Sequence, residues 1–182
     1  MIWSRPELQV LFVCTANICR SPLAEGLLRH RLRNEGLAKS VQVRSAGTAA
    51  NPGLRSDPRA VEVAAEAGVP LGRIRSQRLT PKLLSRSDYI LVMDRGQLEE
   101  VSRMSAALID EHEDMTAAFT GTLALLGSYL PASEGGTNAP DIPDPYFGDV
   151  RGFRYVHDII DRALEGFMEH ISSRLESDSR GL

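Results

Sequence analysis

Leu8-Gln9-Val10-Leu11-Phe12-Val13-Cys14-Thr15-Ala16-Asn17-Ile18-Cys19-Arg20-Ser21-Pro22 passes from an unbroken apolar run, through a short polar loop, into a helical pattern. Leu8–Val13 reads as a buried strand. Pro22–Arg33 reads as a helix with Leu23, Leu27, Leu28 and Leu32 on one face and Pro22 in its first turn. A strand that stops and turns into a helix leaves the amides of its loop pointing inward, and with the positive helix N-terminus they make a nest for a tetrahedral anion. The loop residues Thr15, Ala16, Asn17, Ile18, Cys19 and Ser21 would frame that nest, with Cys14 at its floor. Positive potential there favours thiolate over thiol. Arg20, six positions after Cys14, can grip two oxygens of a phosphate with its planar fork. A thiolate aimed at a phosphorus whose oxygens are held is a nucleophilic catalyst.

Outward from this unit, strands and helices alternate. Val41–Arg44 reads as a second strand, and Asp57-Pro58 opens a helix that stops near Gly68. Thr80-Pro81 starts a short helix to about Ser85, Asp88–Met93 is an apolar strand and Gly96–Met104 is helical. A fourth strand is expected around Thr122–Leu126. A long last helix carries Phe153, Val156, Ile159, Ile160, Ala163, Leu164, Phe167, Met168 and Ile171 on one stripe. The expected fold is therefore α/β: a doubly wound, four-stranded parallel sheet with helices on both faces and right-handed crossovers. In such sheets ligands bind beyond the carboxyl ends of the strands, where the strand order reverses, and Cys14 stands at one such end. The expected organisation is one domain over residues 1–175, followed by a flexible polar tail at 176–182.

Composition narrows the function. The chain has 182 residues, 42% of them hydrophobic and 25% charged, with a net charge of −3, which argues against a nucleic-acid partner. No apolar run approaches the roughly 20 residues that span a bilayer, and no signal-like segment opens the chain, so a cytoplasmic location is expected. The two cysteines, Cys14 and Cys19, share one short loop and make no disulfide framework, which fits a reducing compartment. His30, His112, His157 and His170 lack metal-ligand spacing, so neither a metal nor a cofactor is expected.

Expelling an alkoxide or phenolate goes faster when an acid protonates the leaving oxygen. Asp144, within Ile142-Pro143-Asp144-Pro145-Tyr146-Phe147-Gly148, is the candidate: two prolines stiffen its backbone, and its loop follows the fourth strand at the same sheet edge as Cys14. Tyr146 and Phe147 would wall the mouth of the site and suit an aromatic leaving group.

These residues together resemble the low-molecular-weight protein tyrosine phosphatases. The likeness covers the Cys14–Ser21 loop, Ser45-Ala46-Gly47-Thr48, Asp57-Pro58-Arg59-Ala60, Asp88-Tyr89-Ile90-Leu91 with Met93-Asp94, Leu125-Leu126-Gly127-Ser128-Tyr129 and Asp144-Pro145-Tyr146. It implies a phosphocysteine intermediate on Cys14 and no metal. Asp144 would act first as acid and then as the base that activates water. Ser21 would donate to the Cys14 thiolate and Asn17 would brace the loop, while Asp94 either organises the loop region or caps a helix. Cys19 would be a redox partner able to form a reversible disulfide with oxidised Cys14. Ala16 stands where the family usually has Gly, at a cost of roughly 1 kcal/mol if the position needs a positive φ. Ala49-Ala50-Asn51-Pro52 replaces a rim aromatic, a pattern similar to bacterial members acting on tyrosine kinases that control exopolysaccharide export. The implied partner is thus a phosphotyrosyl protein, such a kinase among them. The Ala132–Asp141 loop is longer than in many relatives. Protein arginine phosphatases of the same family typically have Thr at the position of Ile18, so Ile18 favours tyrosine. Arsenate reductases need further cysteines. A non-catalytic phosphopeptide-binding module would lack the nucleophile or the acid.

Overall fold

In the computed structural model, residues 6–111, 119–131 and 139–180 are described, with backbone alone for 108–111 and 178–180. Four strands form one all-parallel sheet in the order β2-β1-β3-β4: β1 (Leu8–Cys14), β2 (Val41–Gly47), β3 (Tyr89–Val92) and β4 (Thr122–Leu125). β1 is central, buried on both faces, and its composition shows it: Val10, Leu11, Phe12 and Val13 are all nearly inaccessible, as a parallel strand covered on both sides requires. Its register pairs Cys14 with Gly47 on β2 and Val13 with Val92 on β3.

Among the described residues, five α-helices cover the faces: α1 (Arg20–Asn34), α2 (Pro58–Glu66), α3 (Pro81–Ser85), α4 (Arg95–Glu111) and α5 (Val150–Arg180). One apolar layer joins β1 and β2 side chains such as Phe12 and Val43 to Leu23, Leu28 and the α5 stripe of Phe153, Ile160, Leu164 and Phe167. The other sets Leu11, Val13 and Ile90 against Leu84 and Val101 of α3 and α4. Every expected element is present, most within a few residues, although the helix expected over Gly96–Met104 runs from Arg95 to Glu111. The first helix starts at Arg20 rather than Pro22, and the last runs through Glu176 to Arg180, so residues 176–180 of the expected tail are helical. Residues 132–138 of the long loop, and residues 181–182 of the tail, lie outside the described residues.

The sheet order has one functional consequence. β2 and β3 flank β1 on opposite sides, so the chain reverses direction of travel across the sheet at the C-terminal ends of β1 and β3, opening a crevice there. The Cys14 loop leaves β1 at this point, and Met93-Asp94 leaves β3 beside it.

Candidate active site

The loop after β1 is folded from outside. Thr48, Ala49 and Asp57 donate their amides to the carbonyls of Cys14, Thr15 and Ile18 at 3.0, 2.9 and 2.8 Å. With these carbonyls turned outward, the concave side of the loop is left to amides, as an anion nest requires. Asn17 holds the tight bend with φ 55°, the left-handed region that Asn tolerates better than most residues, and it is the one non-glycine with positive φ among the described residues. The strain expected at Ala16 is therefore absent; the bend falls one residue later.

The Cys14 side chain is buried, with Sγ 3.0 Å from Ser21 Oγ and accepting the Asn17 amide at 3.3 Å. The Asn17 carboxamide is a three-way brace. Its Nδ2 donates to Ser21 Oγ at 2.8 Å and to Ser45 Oγ at 2.9 Å, while Oδ1 accepts the Gln77 amide at 2.9 Å. Ser45 in turn donates to Glu25, which also pairs with Arg29 at 2.8 Å. Glu25 is buried, and burial raises its carboxyl above the ordinary range against the opposing pull of Ser45 and Arg29. Cys19 forms the N-cap of α1 without a side-chain bond. Burial first, then the negative charge of Asp57, pushes its thiol up to about 12.

Arg20 closes the loop. The residue is 3% exposed, and its guanidinium donates from Nη1 to Asp94 Oδ2 at 2.9 Å and to the Ile142 carbonyl at 3.0 Å, and from Nη2 to Asp144 Oδ2 at 2.9 Å. A single planar fork thus joins the loop after β1, the loop after β3 and the Asp144 segment. Both alternatives for Asp94 hold at once: its Oδ2 takes Arg20 while Oδ1 accepts the Gln97 amide at 2.9 Å, capping α4. Gln97 ties this corner to the nest, donating to Asp94 at 2.7 Å and to Thr15 Oγ1 at 3.2 Å. Its role went unread in the sequence, although Asp94-Arg95-Gly96-Gln97 has capping-box spacing.

The Asp144 segment is fastened a second time by Arg59. Asp57 caps α2 and grips Arg59 through both oxygens, at 2.9 and 2.8 Å; this bond holds the Asp57 carboxyl below its usual range. Arg59 then donates to the carbonyls of Gly148 and Tyr146 at 2.6 and 3.1 Å, with its guanidinium 4.4 Å from the Phe153 ring centroid. Tyr146 and Phe147 meet edge to face, 5.2 Å between centroids; Tyr146 is half exposed and Phe147 almost wholly so. In the stretch that stands where relatives place a rim aromatic, Ala50 is buried while Ala49, Asn51 and Pro52 are exposed, so the rim there carries no aromatic side chain. The structure thus brings Cys14, Asn17, Arg20, Ser21 and Asp144 together and leaves Phe147 touching Tyr146 at the surface.

Three comparisons bear on this arrangement. Residues 9–177 match the family model described as low molecular weight phosphotyrosine protein phosphatase. A low molecular weight protein-tyrosine-phosphatase of Streptomyces coelicolor is 34% identical, over 92% of this chain and 96% of that one. A Ralstonia nicotianae protein described as "Probable low molecular weight protein-tyrosine-phosphatase EpsP" is 36% identical, over 89% and 94%. Among solved structures, a drosophila arginine phosphatase superposes with TM-score 0.77 at 32% identity, covering 89% of this chain and 96% of that one.

Proposed function

The chain belongs to the low-molecular-weight phosphotyrosine protein phosphatases, and on that premise we propose that Cys14 is its nucleophile, Arg20 its phosphate clamp and Asp144 its acid and base. In this reading the Cys14 thiolate attacks phosphorus and forms an S–P bond as the ester P–O bond breaks. The departing phenolate takes the proton of the Asp144 carboxyl. Water, deprotonated by Asp144, then cleaves the S–P bond and frees phosphate. Thr15, Ala16, Asn17, Ile18, Cys19 and Ser21 frame the oxygens, and Ser21 Oγ at 3.0 Å stabilises the thiolate. One observation carries the assignment: the Arg20 guanidinium, a loop away from the buried thiol, is bonded at 2.9 Å to the Asp144 carboxylate.

Tyr146, with Phe147 behind it, forms the aromatic side of the mouth in this proposal. The substrate class is a phosphotyrosyl protein in the cytoplasm. A tyrosine kinase governing exopolysaccharide production is the specific substrate proposed, supported by the alanines at the rim and by the 36% identity to the protein named EpsP. The alternative, phosphoarginine, is favoured by the likeness to the drosophila arginine phosphatase and opposed by Ile18. Cys19, buried one helical position before Arg20, is proposed as the redox partner of Cys14.

The test compares hydrolysis of a phosphotyrosyl peptide with that of a phosphoarginyl protein, in chelator, by the intact chain and by Cys14→Ser. Turnover of phosphotyrosine that vanishes in Cys14→Ser and falls sharply in Asp144→Asn is expected. Preference for phosphoarginine overturns the substrate. Peptide binding without turnover would leave a phosphopeptide-binding module.

A further inference from the structure

We propose that the outer edge of the sheet, alongside β2, docks an acidic extended segment of the phosphoprotein substrate, a reading that rests on the phosphatase assignment. The starting observation is a segregation of charge that the net value of −3 conceals. Arginines around the Asp144 loop and α5 have carboxylate partners: Arg20 with Asp94 and Asp144, Arg59 with Asp57, Arg95 with Asp141, Arg151 with Asp149, Arg154 with Glu66. Around β2, by contrast, Arg33, Lys39, Arg44, Arg73, Lys82 and Arg86 are exposed and have no ion pair among the described residues.

These cations line three adjoining clefts that share Gln42. The first has Leu32, Val41 and Val43 as apolar lining and Arg29, Arg33 and Lys39 as cations. The second, of about 300 Å³, sets Arg44, Lys82 and Arg86 against Val10, Leu11 and Leu83. The third carries Arg44 again with Arg73 and Arg75, and the carboxylate there, Glu25, is buried and already bonded to Ser45 and Arg29. Apolar lining with cationic side chains suits a polypeptide whose acidic residues alternate with others. A nucleic acid is the less apt occupant, for none of the lining residues is aromatic and the clefts offer no aromatic stacking platform.

The backbone of the edge points to side-chain recognition rather than strand addition. The Val43 carbonyl accepts Arg29, the Ser45 carbonyl accepts Gln77 Nε2, and the Val41 amide donates to Leu37, so much of the outward row is already capped. The patch also reaches the mouth of the site. Gly47, level with Cys14, is bridged to Arg78, and Arg75 is bridged to Arg55 in the segment that leads to Asp57. Arg44 lies three residues down β2 from Gly47, about 10 Å at strand spacing. A carboxylate some three to five residues from the phosphotyrosine therefore comes within reach of Arg44 and Arg73.

The experiment uses the full chain and phosphotyrosyl peptides that differ only in a three-residue stretch, Glu or Gln, placed three to five residues before or after the phosphotyrosine. Exposed ion pairs at about twofold each compound to roughly a tenfold lower KM for a Glu-flanked peptide. That preference is expected to vanish in Arg44→Glu/Arg73→Glu/Lys82→Glu and at high salt, with p-nitrophenyl phosphate turnover unchanged. Arg44→Gln/Arg73→Gln/Lys82→Gln guards against misfolding of the reversed variant. Equal KM for both flanks, or a preference that survives the variants, overturns the proposal. So does a variant whose losses are confined to binding duplex DNA or phosphatidylglycerol vesicles. If the wild type fails on p-nitrophenyl phosphate the phosphatase assignment falls, and fluorescence polarisation of the same peptides on Cys14→Ser still reads the flank preference.

Discussion

Gly47→Ala puts a methyl group where the phosphate loop has no room. A Cβ on Gly47 would lie 2.5 Å from the Thr15 carbonyl oxygen and 2.9 Å from both the Asn17 amide nitrogen and the Ala50 Cβ. Ordinary contact begins near 3.4 Å, so the Thr15 carbonyl must retreat by about 0.9 Å and the Asn17 amide by about 0.5 Å. Neither is free to do so. The Thr15 carbonyl accepts the Ala49 amide at 2.9 Å, and the Asn17 amide donates to Cys14 Sγ at 3.3 Å. Overpacking of this kind costs about 1–3 kcal/mol of stability, which for a chain this size lowers Tm by roughly 5 °C. The effect on turnover is larger, because a misplaced donor to developing anionic charge costs about 10²–10³ in kcat. The expected result with p-nitrophenyl phosphate is a kcat down by about a hundredfold, or about 2.7 kcal/mol, in a variant whose melt is still cooperative. Gly72→Ala is the control, since a Cβ there meets nothing within 4 Å. A Gly47→Ala enzyme within threefold of wild type would refute the reasoning.

Further outcomes follow from the network behind the loop. Burial raises the Glu25 carboxyl above its ordinary value, so the folded state binds a proton that the unfolded chain releases, and stability falls as pH rises from about 4.5 through the raised value. Urea midpoints across pH 4–8 should show this loss in wild type and not in Glu25→Gln; parallel curves would refute it. Asp94→Asn keeps the α4 cap but weakens a charge-assisted bond to Arg20 of about 1.5–3 kcal/mol, so kcat/KM should fall roughly 10- to 100-fold and Tm by about 5 °C. With its thiol pushed up to about 12, Cys19 is uncharged at neutral pH, so Cys19→Ser should turn over normally under reductant. It should nonetheless lose activity irreversibly to peroxide faster than wild type; equal rates would remove Cys19 from the redox role.

The fold was legible because its signals are local. Leu8–Val13 is apolar on both faces, as a central parallel strand must be, and the Phe153–Ile171 stripe has helical period over five turns. Cys14, Arg20 and Ser21 were legible for the same reason, since one loop and one helical turn hold them. The bracing role of Asn17 came with the resemblance, but the distant partners of the braces were not legible. Asn17 meets Gln77 across 60 residues and Arg59 meets the Gly148 carbonyl across 89, and nothing in either neighbourhood announces the other. Glu25 left a faint trace: an acid four residues after Ser21 on the apolar side of a helix. Ala16 misled because its identity was read against a relative's glycine, whereas the bend is set by where the Thr15 and Ile18 carbonyls are tied, and that puts it on Asn17. The basic edge along β2 was hidden by summation, its cations cancelling in the total against acids elsewhere in the chain.

The fork of Arg20 also dates the site within the life of the chain. Its bonds to Asp94 and Asp144 close contacts 74 and 124 residues apart, so competence depends on the whole sheet being in order rather than on the loop that contains the thiol. At synthesis rates of about 5–20 residues per second, Asp144 follows Arg20 out of the ribosome by about 6–25 s. Until Asp144 emerges, a nascent chain has the thiol and the guanidinium without one of the two carboxylates that hold the latter. Under the proposed roles it has the nucleophile and the clamp but not yet the acid.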